Sequence, residues 1–345
     1  MKSQRGAAIL TAMLTVVLVA SLASASLWQQ WRGVEVEAAE RTRTQSAWIL
    51  VGGLDMARLQ LRIDYRDDNN KKPPEFADFL SEAWATPLEP MRLSAFLAAD
   101  RSDALLANAS QEAFLSGQIT DLQSRLNVTN LVQGGAIDAP SALAFTRLFE
   151  LLDLPGTELI LLLDKLRLAQ PTAAGGAVAG APVAGAPVAG APVVAAGESD
   201  AASITLWPQT LDQLAWFGLS ARSIAVLRPF VTVLPVRTPV NLNTAPAEVI
   251  YACVEGFDLA DAHRLVQARN ATHLATLSDA SKIGGKTSAQ FTEALHSVSS
   301  RFFEVRGNLR IDQVTVQEVS VVQRDRLDVK TLSRQRVASS SPTLQ

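Results

Sequence analysis

From Ala7 to Leu27 the chain runs for twenty-one residues without a charge, and beyond it the apolar residues thin into a helical stripe. A helix needs roughly 20 apolar residues to cross a bilayer. Lys2 and Arg5 precede the run, and Trp28, Trp31 and Arg32 follow it. Basic residues hold their end in the cytoplasm and tryptophans suit the far interface, so the bulk of the chain is expected outside the inner membrane of a bacterium. Ala47, Leu50, Leu54, Ala57 and Leu61 then recur at spacings of three, four, three and four, one face of an amphipathic helix. The pattern predicts helix from Ala7 to about Arg66, roughly 90 Å long. Gly33, Gly52 and Gly53 each weaken it by about 1 kcal/mol.

Further on, Tyr65 to Phe76 reads as a loop, because Asp67 to Lys72 is polar and ends in the pair Pro73-Pro74. Phe76 to Trp84 reads as a short helix, and Leu88 to Gly117 has room for an extra one. Ile119 to Val128 alternates at Ile119, Leu122 or Asp121, Leu126 and Val128, a half-buried strand. Ala139 to Leu168 is helical in two pieces, with Ser141 as a cap and Pro155-Gly156 as the break. Ala179-Gly-Ala-Pro-Val183 and two further copies, ending at Val193, form a low-complexity surface loop. Thr210 to Leu234 reads as helix, turn, helix, and Val240 to Ala268 as a second helix pair. Phe302 to Gly307 and Val314 to Val322 are closing strands. Arg334 to Gln345 is a polar tail expected to be unstructured.

At 345 residues, with 48% hydrophobic residues, the chain has room for two domains beyond the anchor. A net charge of -3 gives no reason to expect nucleic acid. The single cysteine, Cys253, excludes an intramolecular disulfide and is expected to be buried packing. Asp67, Asp68, Asn69 and Asn70 offer oxygens but lack the spacing of a calcium loop, so a solvated turn is expected. Gly285-Lys286-Thr287 has Ala280 where a phosphate loop requires its first glycine. His263, His273 and His296 lack zinc-ligand spacing and are expected at the surface or at caps. No Gly-x-Ser-x-Gly elbow occurs. No enzyme is expected.

The N-terminal segment admits two processing routes. Ala23-Ser24-Ala25 would serve as a signal-peptidase site, with loss of the whole apolar helix. Alternatively Arg5-Gly6-Ala7 closes a short basic leader of the type IV prepilin kind, cut after Gly6 so that the helix is retained. The unbroken helical pattern beyond Leu27 favours the second route. Arg5-Gly6-Ala7, Trp48, Gly53-Leu54-Asp55-Met56-Ala57-Arg58 and Glu82-Ala83-Trp84-Ala85-Thr86-Pro87-Leu88 resemble the minor pseudopilin K family of type II secretion systems. So do Ile119-Thr-Asp-Leu-Gln-Ser-Arg-Leu-Asn-Val-Thr-Asn-Leu131, Leu227-Arg-Pro-Phe-Val-Thr-Val-Leu-Pro235 and Pro239-Val-Asn-Leu-Asn-Thr-Ala-Pro-Ala-Glu-Val249. The matches are colinear from residue 5 to about 310.

The resemblance implies an α+β fold, with a transmembrane and amphipathic helix on a pilin-like antiparallel sheet. A large all-α domain, a helical-hairpin (SAM-like) unit, interrupts that sheet. The implied division is leader 1–6, transmembrane helix 7–27, pilin-like parts 28–129 and 299–330, inserted domain 130–298 with its loop at 171–198, and tail 331–345. It implies cleavage between Gly6 and Ala7 by prepilin peptidase and N-methylation of Ala7. Thr11 stands where most pilins carry glutamate, and minor pseudopilin K resembles this chain in lacking that acid, as suits a subunit with nothing ahead of it in the filament. A carboxylate inside a bilayer costs several kcal/mol unless paired. The implied partners are minor pseudopilins I and J, with H and the major pseudopilin G, then secretin and cargo. The stripe Ala47, Leu50, Leu54, Ala57 and Leu61 is the expected contact with I and J, so that a charge at Leu54 abolishes binding. The family's head is also expected to bind calcium. Here only Asp164 is in register, with Glu198 and Asp200 after the repeats, so no ligands can be assigned.

A competing reading comes from Asn243-Thr244-Ala245-Pro246 and the helices after it, which resemble a DNA-binding helix-hairpin-helix. Such a hairpin in a secreted protein with a cleaved signal would bind phosphate through glycine amides at a helix N-terminus. Glu255 and Asp258 flank the turn here and would repel phosphate, so the hairpin is expected to be structural.

Overall fold

A computed structural model of the chain describes residues 5–73, 75–93, 113–169, 206–284, 290–311 and 314–339. The repeats and their loop, the possible extra helix after Leu93, Glu198, Asp200 and Lys286-Thr287 lie outside the described residues.

Helix α1 spans Arg5–Asn70, 66 residues or about 100 Å. Its glycines do not interrupt it: a Cβ at Gly33 or Gly52 would meet nothing within 4 Å. The helix also outruns its predicted end at Arg66. Its last turns are held by side chains: Asp68 is buried and pairs with Lys71 at 2.7 Å, and Asp64 pairs with Arg324 at 2.8 Å. The predicted helix from Phe76 to Trp84 is instead a series of turns. Glu82 Oε2 accepts bonds from the Phe79 amide (3.0 Å) and from Trp84 Nε1 (2.6 Å), and this closes the chain on itself.

Helix α1 lies on a five-stranded antiparallel sheet of order β1-β2-β9-β10-β11. Its strands are β1 (Leu88–Arg92), β2 (Ala113–Asp121), β9 (Phe302–Ile311), β10 (Val314–Asp325) and β11 (Asp328–Ser339). The two-residue period of β9 sends Phe303, Val305 and Leu309 toward α1. Phe302 points the other way, onto Leu122 and Leu234. The expected pairing of the closing strands with the strand near Ile119 is present, with Ile119 opposite Val305.

Two expectations fail here. The strand predicted from Ile119 to Val128 stops at Asp121, whose carboxylate accepts the Gln123 amide at 2.7 Å and starts a 3-10 turn over Leu122–Ser124. The tail expected to be unstructured from Arg334 is the second half of β11, paired to β10 as far as Ser339. An outer strand needs no apolar alternation when its neighbour supplies the hydrogen bonds. Its arginines are anchored too, Arg334 and Arg336 both reaching the buried Glu318 (2.5 and 3.2 Å).

Between β2 and β9 the chain forms a helical lobe. It holds α2 (Ala139–Leu151), α3 (Gly156–Ala169), α4 (Ala221–Leu227), α5 (Ala247–Cys253), α6 (Leu259–Ala271) and α7 (Leu277–Gly284). Short strands β3 (Leu126–Asn127), β4 (Val132–Gln133), β5 (Ala136–Ile137), β6 (Val231–Thr232), β7 (Val240–Asn241) and β8 (His296–Ser297) tie it together, β3 with β6 and β7 with β8 in parallel. Phe145, Leu148, Leu162, Leu214, Ile250 and Leu265 are among its core residues. The cap of α2 is Asp138, which accepts the Ser141 amide at 3.1 Å; Ser141 itself is buried inside the first turn. The helix pair predicted over Thr210–Leu234 begins as a 3-10 helix, Leu211–Phe217, and its second member ends at Leu227 because Pro229 follows.

Candidate functional site

The stripe that defines α1 in the sequence is not a free surface. Leu50 packs with Leu115, Leu309 and Ile311. Leu54 and Leu61 join Trp84, Phe303, Val305, Val322 and Val329, with Ala57 at the margin. Ala47 is half-buried. Leu50, Leu54 and Leu61 are thus core residues of this chain, at odds with a contact of these three side chains with I and J, while Ala47 and Ala57 keep partial exposure. Helical periodicity reports that one face is buried, not what buries it. The outward face instead carries Trp48, 71% exposed, with Met56 and Leu59 in line with the open Gly52. Residues 9–41 stand clear of the head, among them exposed Ile9 to Leu27 and both Trp28 and Trp31.

Beside this face a cleft of about 480 Å³ opens between α1 and the β1–β2 edge, lined by Met56, Ala57, Trp84, Met91, Leu115 and Ile119. Two glycines create it. Gly117 of β2 lies opposite Gly307 of β9, so neither strand puts a side chain into the gap. A Cβ at Gly307 would come within 3.3 Å of Leu50 Cδ2.

The end of α1 meets the helical lobe at a buried polar joint. Arg324 of β10 pairs with Asp64 of α1 at 2.8 Å, makes a short ion pair with Asp78, and donates to the Ser300 carbonyl at 3.0 Å. Asp121, at the end of β2, accepts from Ser300 Oγ (2.6 Å), Thr244 Oγ1 (2.5 Å), Asn241 Nδ2 (3.0 Å) and the Gln123 amide. Asn241 also donates to the Asp78 carbonyl at 3.0 Å. Asn127 and Asn130 bond the 234–238 backbone, and Asn243 brackets Leu274 from both sides. Burial pushes the Asp121 carboxyl up despite its four donors. It pushes Asp78 up to about 7 against the pull of Arg324, and Glu82 up to about 8 with help from nearby Asp64.

This joint is what the polar motifs encode. Asp121, Gln123 and Asn127 come from the segment read as a strand; Asn241, Asn243 and Thr244 come from the segment read as a helix start. The other half, Asp64, Asp78, Ser300 and Arg324, escaped notice because those residues lie far apart in the chain with no common motif.

Asp64, Asp78 and Glu82 bring carboxylate oxygens within 4.8 Å of one another, but the Arg324 guanidinium already pairs with the first two. Asp164 is exposed on α3 with no second acid beside it among the described residues that could hold metal. The donor set therefore does not fit a calcium ion at Asp164. Asp68, expected in a solvated turn, is buried. In the α5–α6 hairpin, Gly256 has φ +86°. Asp258 then accepts the Asp261 amide at 2.8 Å while Asp261 accepts that of Asp258 at 3.0 Å. Two carboxylates thus occupy the α6 N-terminus, where they would repel a phosphate. His263 is exposed, and His296, expected like it at the surface or at a cap, is buried, with Nδ1 accepting the Thr292 amide at 3.1 Å and Nε2 against the Cys253 carbonyl. Cys253 is buried and its thiol is pushed up to about 12 by that burial.

Comparison with known proteins places the chain. Two family profiles, both described as Type II secretion system (T2SS), protein K, match residues 124–236 and 240–299, together just over half of the 345 residues. The chain is 26% identical over 341 residues to the type II secretion system protein K of Pseudomonas aeruginosa, covering 96% of this chain and 90% of that protein. Its fold is similar to a chain in the crystal structure of the GspK-GspI-GspJ complex from the enterotoxigenic Escherichia coli type 2 secretion system. That match has a TM-score of 0.60 at 16% identity, over 87% of this chain and 99% of the other. With the membrane-length helix, the sheet beneath it and the helical lobe on the page, the chain belongs to the type II secretion system protein K family.

Proposed function

We propose that this chain is the minor pseudopilin at the tip of a type II secretion pseudopilus, acting as a structural subunit and not as an enzyme. The observation that carries the reading is the continuity of α1, in which a membrane-length apolar run passes without a break into the core of the head. Loss of residues 1–25 would strip that run and leave a soluble head; cleavage after Gly6 keeps the two joined. In this reading prepilin peptidase exposes Ala7, which is methylated, and α1 holds the chain in the inner membrane with the head in the periplasm. Thr11 at the fifth position of the mature chain suits a subunit with none above it.

Assembly with minor pseudopilins I and J, and through them with H and the major pseudopilin G, uses the outward face of α1. Trp48, Met56 and Leu59 offer an apolar ridge, and Gly52 lets a second helix approach closely. In this reading the helical lobe caps the fibre or meets the secretin or cargo. The helical-hairpin DNA reading is disfavoured by the carboxylates at the α6 N-terminus.

The test is the mature N-terminus, read by mass spectrometry of membrane-extracted protein. A start at N-methylated Ala7 supports the proposal. A start at Ser26 means that signal peptidase removed the helix, and the filament reading fails.

A further inference from the structure

The joint between α1 and the helical lobe carries more acid than base. Asp64 and Asp68 face it from α1, Glu75, Asp78 and Glu82 from the following turns, and Asp121 from β2. Among the described residues, Arg324 on β10 and Lys71 pair with these carboxylates, and Arg125 lies close enough to attract Asp121. His273 of the helical lobe is a further basic group. Its Nε2 lies 2.5 Å from Glu75 Oε1, its ring stacks on Phe79 at 4.0 Å, and it counts as a cation only when protonated.

The carboxylates are close enough to feel one another. Oxygens of Asp64, Asp78 and Glu82 lie within 4.8 Å, and the one guanidinium among them is engaged by the first two. Glu82 accepts from an amide and an indole, and among the described residues it forms no direct ion pair, Lys71 acting on it only from a distance. Carboxylates sharing a buried site cannot all ionise cheaply, so the least compensated one retains its proton.

We propose that this joint is a proton-sensitive latch, in which the docked arrangement holds a proton among Asp64, Asp78 and Glu82 and loosens as that proton leaves. Burial raises the carboxyls of Asp64, Asp78 and Glu82 above their ordinary range. The sign follows: the docked state binds more protons than the opened one, so its stability is greatest at low pH and falls as pH rises through neutrality. One linked proton changes the opening equilibrium by up to about tenfold per pH unit.

The experiment is hydrogen exchange of the full chain in detergent micelles, with protection factors corrected for intrinsic exchange at pH 6 and pH 8.5. Protection of amides from Asp78 to Trp84 is expected to fall about tenfold or more, while β10 and β11 amides near Glu318 change little. Glu82→Gln keeps an acceptor oxygen for Phe79 and Trp84 but cannot ionise, and should flatten the profile to within about twofold. Asp64→Asn serves the same purpose if that variant does not fold. A flat wild-type profile, or an unchanged slope in both variants, overturns the proposal.

Discussion

Replacing Leu61 and replacing Trp48 should have opposite consequences, although both lie on α1 and both are large and apolar. Leu61 is fully buried, enclosed by Leu54, Trp84, Phe303, Val322 and Val329. Leu61→Ala removes buried carbons from a site walled by a sheet on one side and an indole on the other, so little collapse can refill it. Leucine-to-alanine changes in such sites cost about 2 to 5 kcal/mol, and a poorly collapsing site belongs in the upper half, about 3.5 to 5 kcal/mol. Trp48 is 71% exposed, and its replacement by alanine should stay within about 0.5 kcal/mol for the isolated chain. Urea titration of the full chain in micelles, read through exchange of β9 amides, measures both. Co-purification with minor pseudopilins I and J then separates the roles: Trp48→Ala should lose partners while remaining folded. A loss below about 1 kcal/mol for Leu61→Ala, or a folding defect for Trp48→Ala, would show that the two faces of α1 have been assigned the wrong way round.

Other positions give sharper local outcomes. Asp138 caps α2 and holds Arg237 at 3.0 Å; burial opposes its charge, but the bonds from Ser141 and Arg237 win and hold its carboxyl below the ordinary range. Its contribution is present at neutral pH and lost as pH falls through that depressed value, so Asp138→Ala should cost about 1 kcal/mol at pH 7 and much less in acid, by thermal unfolding. Gly218 has φ +101°, and a Cβ there would sit 3.2 Å from Leu161 Cβ; Gly218→Ala should lower stability by about 1 to 2 kcal/mol in the same assay. Cys253 should resist alkylation at pH 8 in the folded chain and react fully in urea, as read by intact mass.

How much of this was legible in the sequence depends on what each residue needs from elsewhere. The membrane run and the amphipathic stripe were plain, because helix periodicity is local. The stripe's partner was not, since Phe303 and Leu309 lie more than two hundred residues away and no spacing connects them to Leu54 or Leu50. Asp121-x-Gln-x-Arg-x-Asn127 stood out as a motif, yet alternation made it look like strand. A half-buried strand accounts for only one face of the segment, whereas Asp121, Gln123 and Asn127 are all buried hydrogen-bonding groups. Arg334 and Arg336 looked like a solvated tail because an edge strand takes its order from its neighbour. The α5–α6 hairpin was readable in both shape and chemistry, since the carboxylates that close it lie within the turn itself.

The length of α1 also sets a distance. The uncharged run ends at Leu27, and the first buried residue of the helix is Ser46. Those nineteen residues amount to a stalk of about 28 Å, longer than the headgroup layer is deep, so a membrane-held head stands clear of the lipid surface. A helix that stiff turns small tilts into displacement: a ten-degree lean at the membrane carries the base of the head sideways by roughly 5 Å over that length. Where the head sits is therefore decided by whatever grips the stalk.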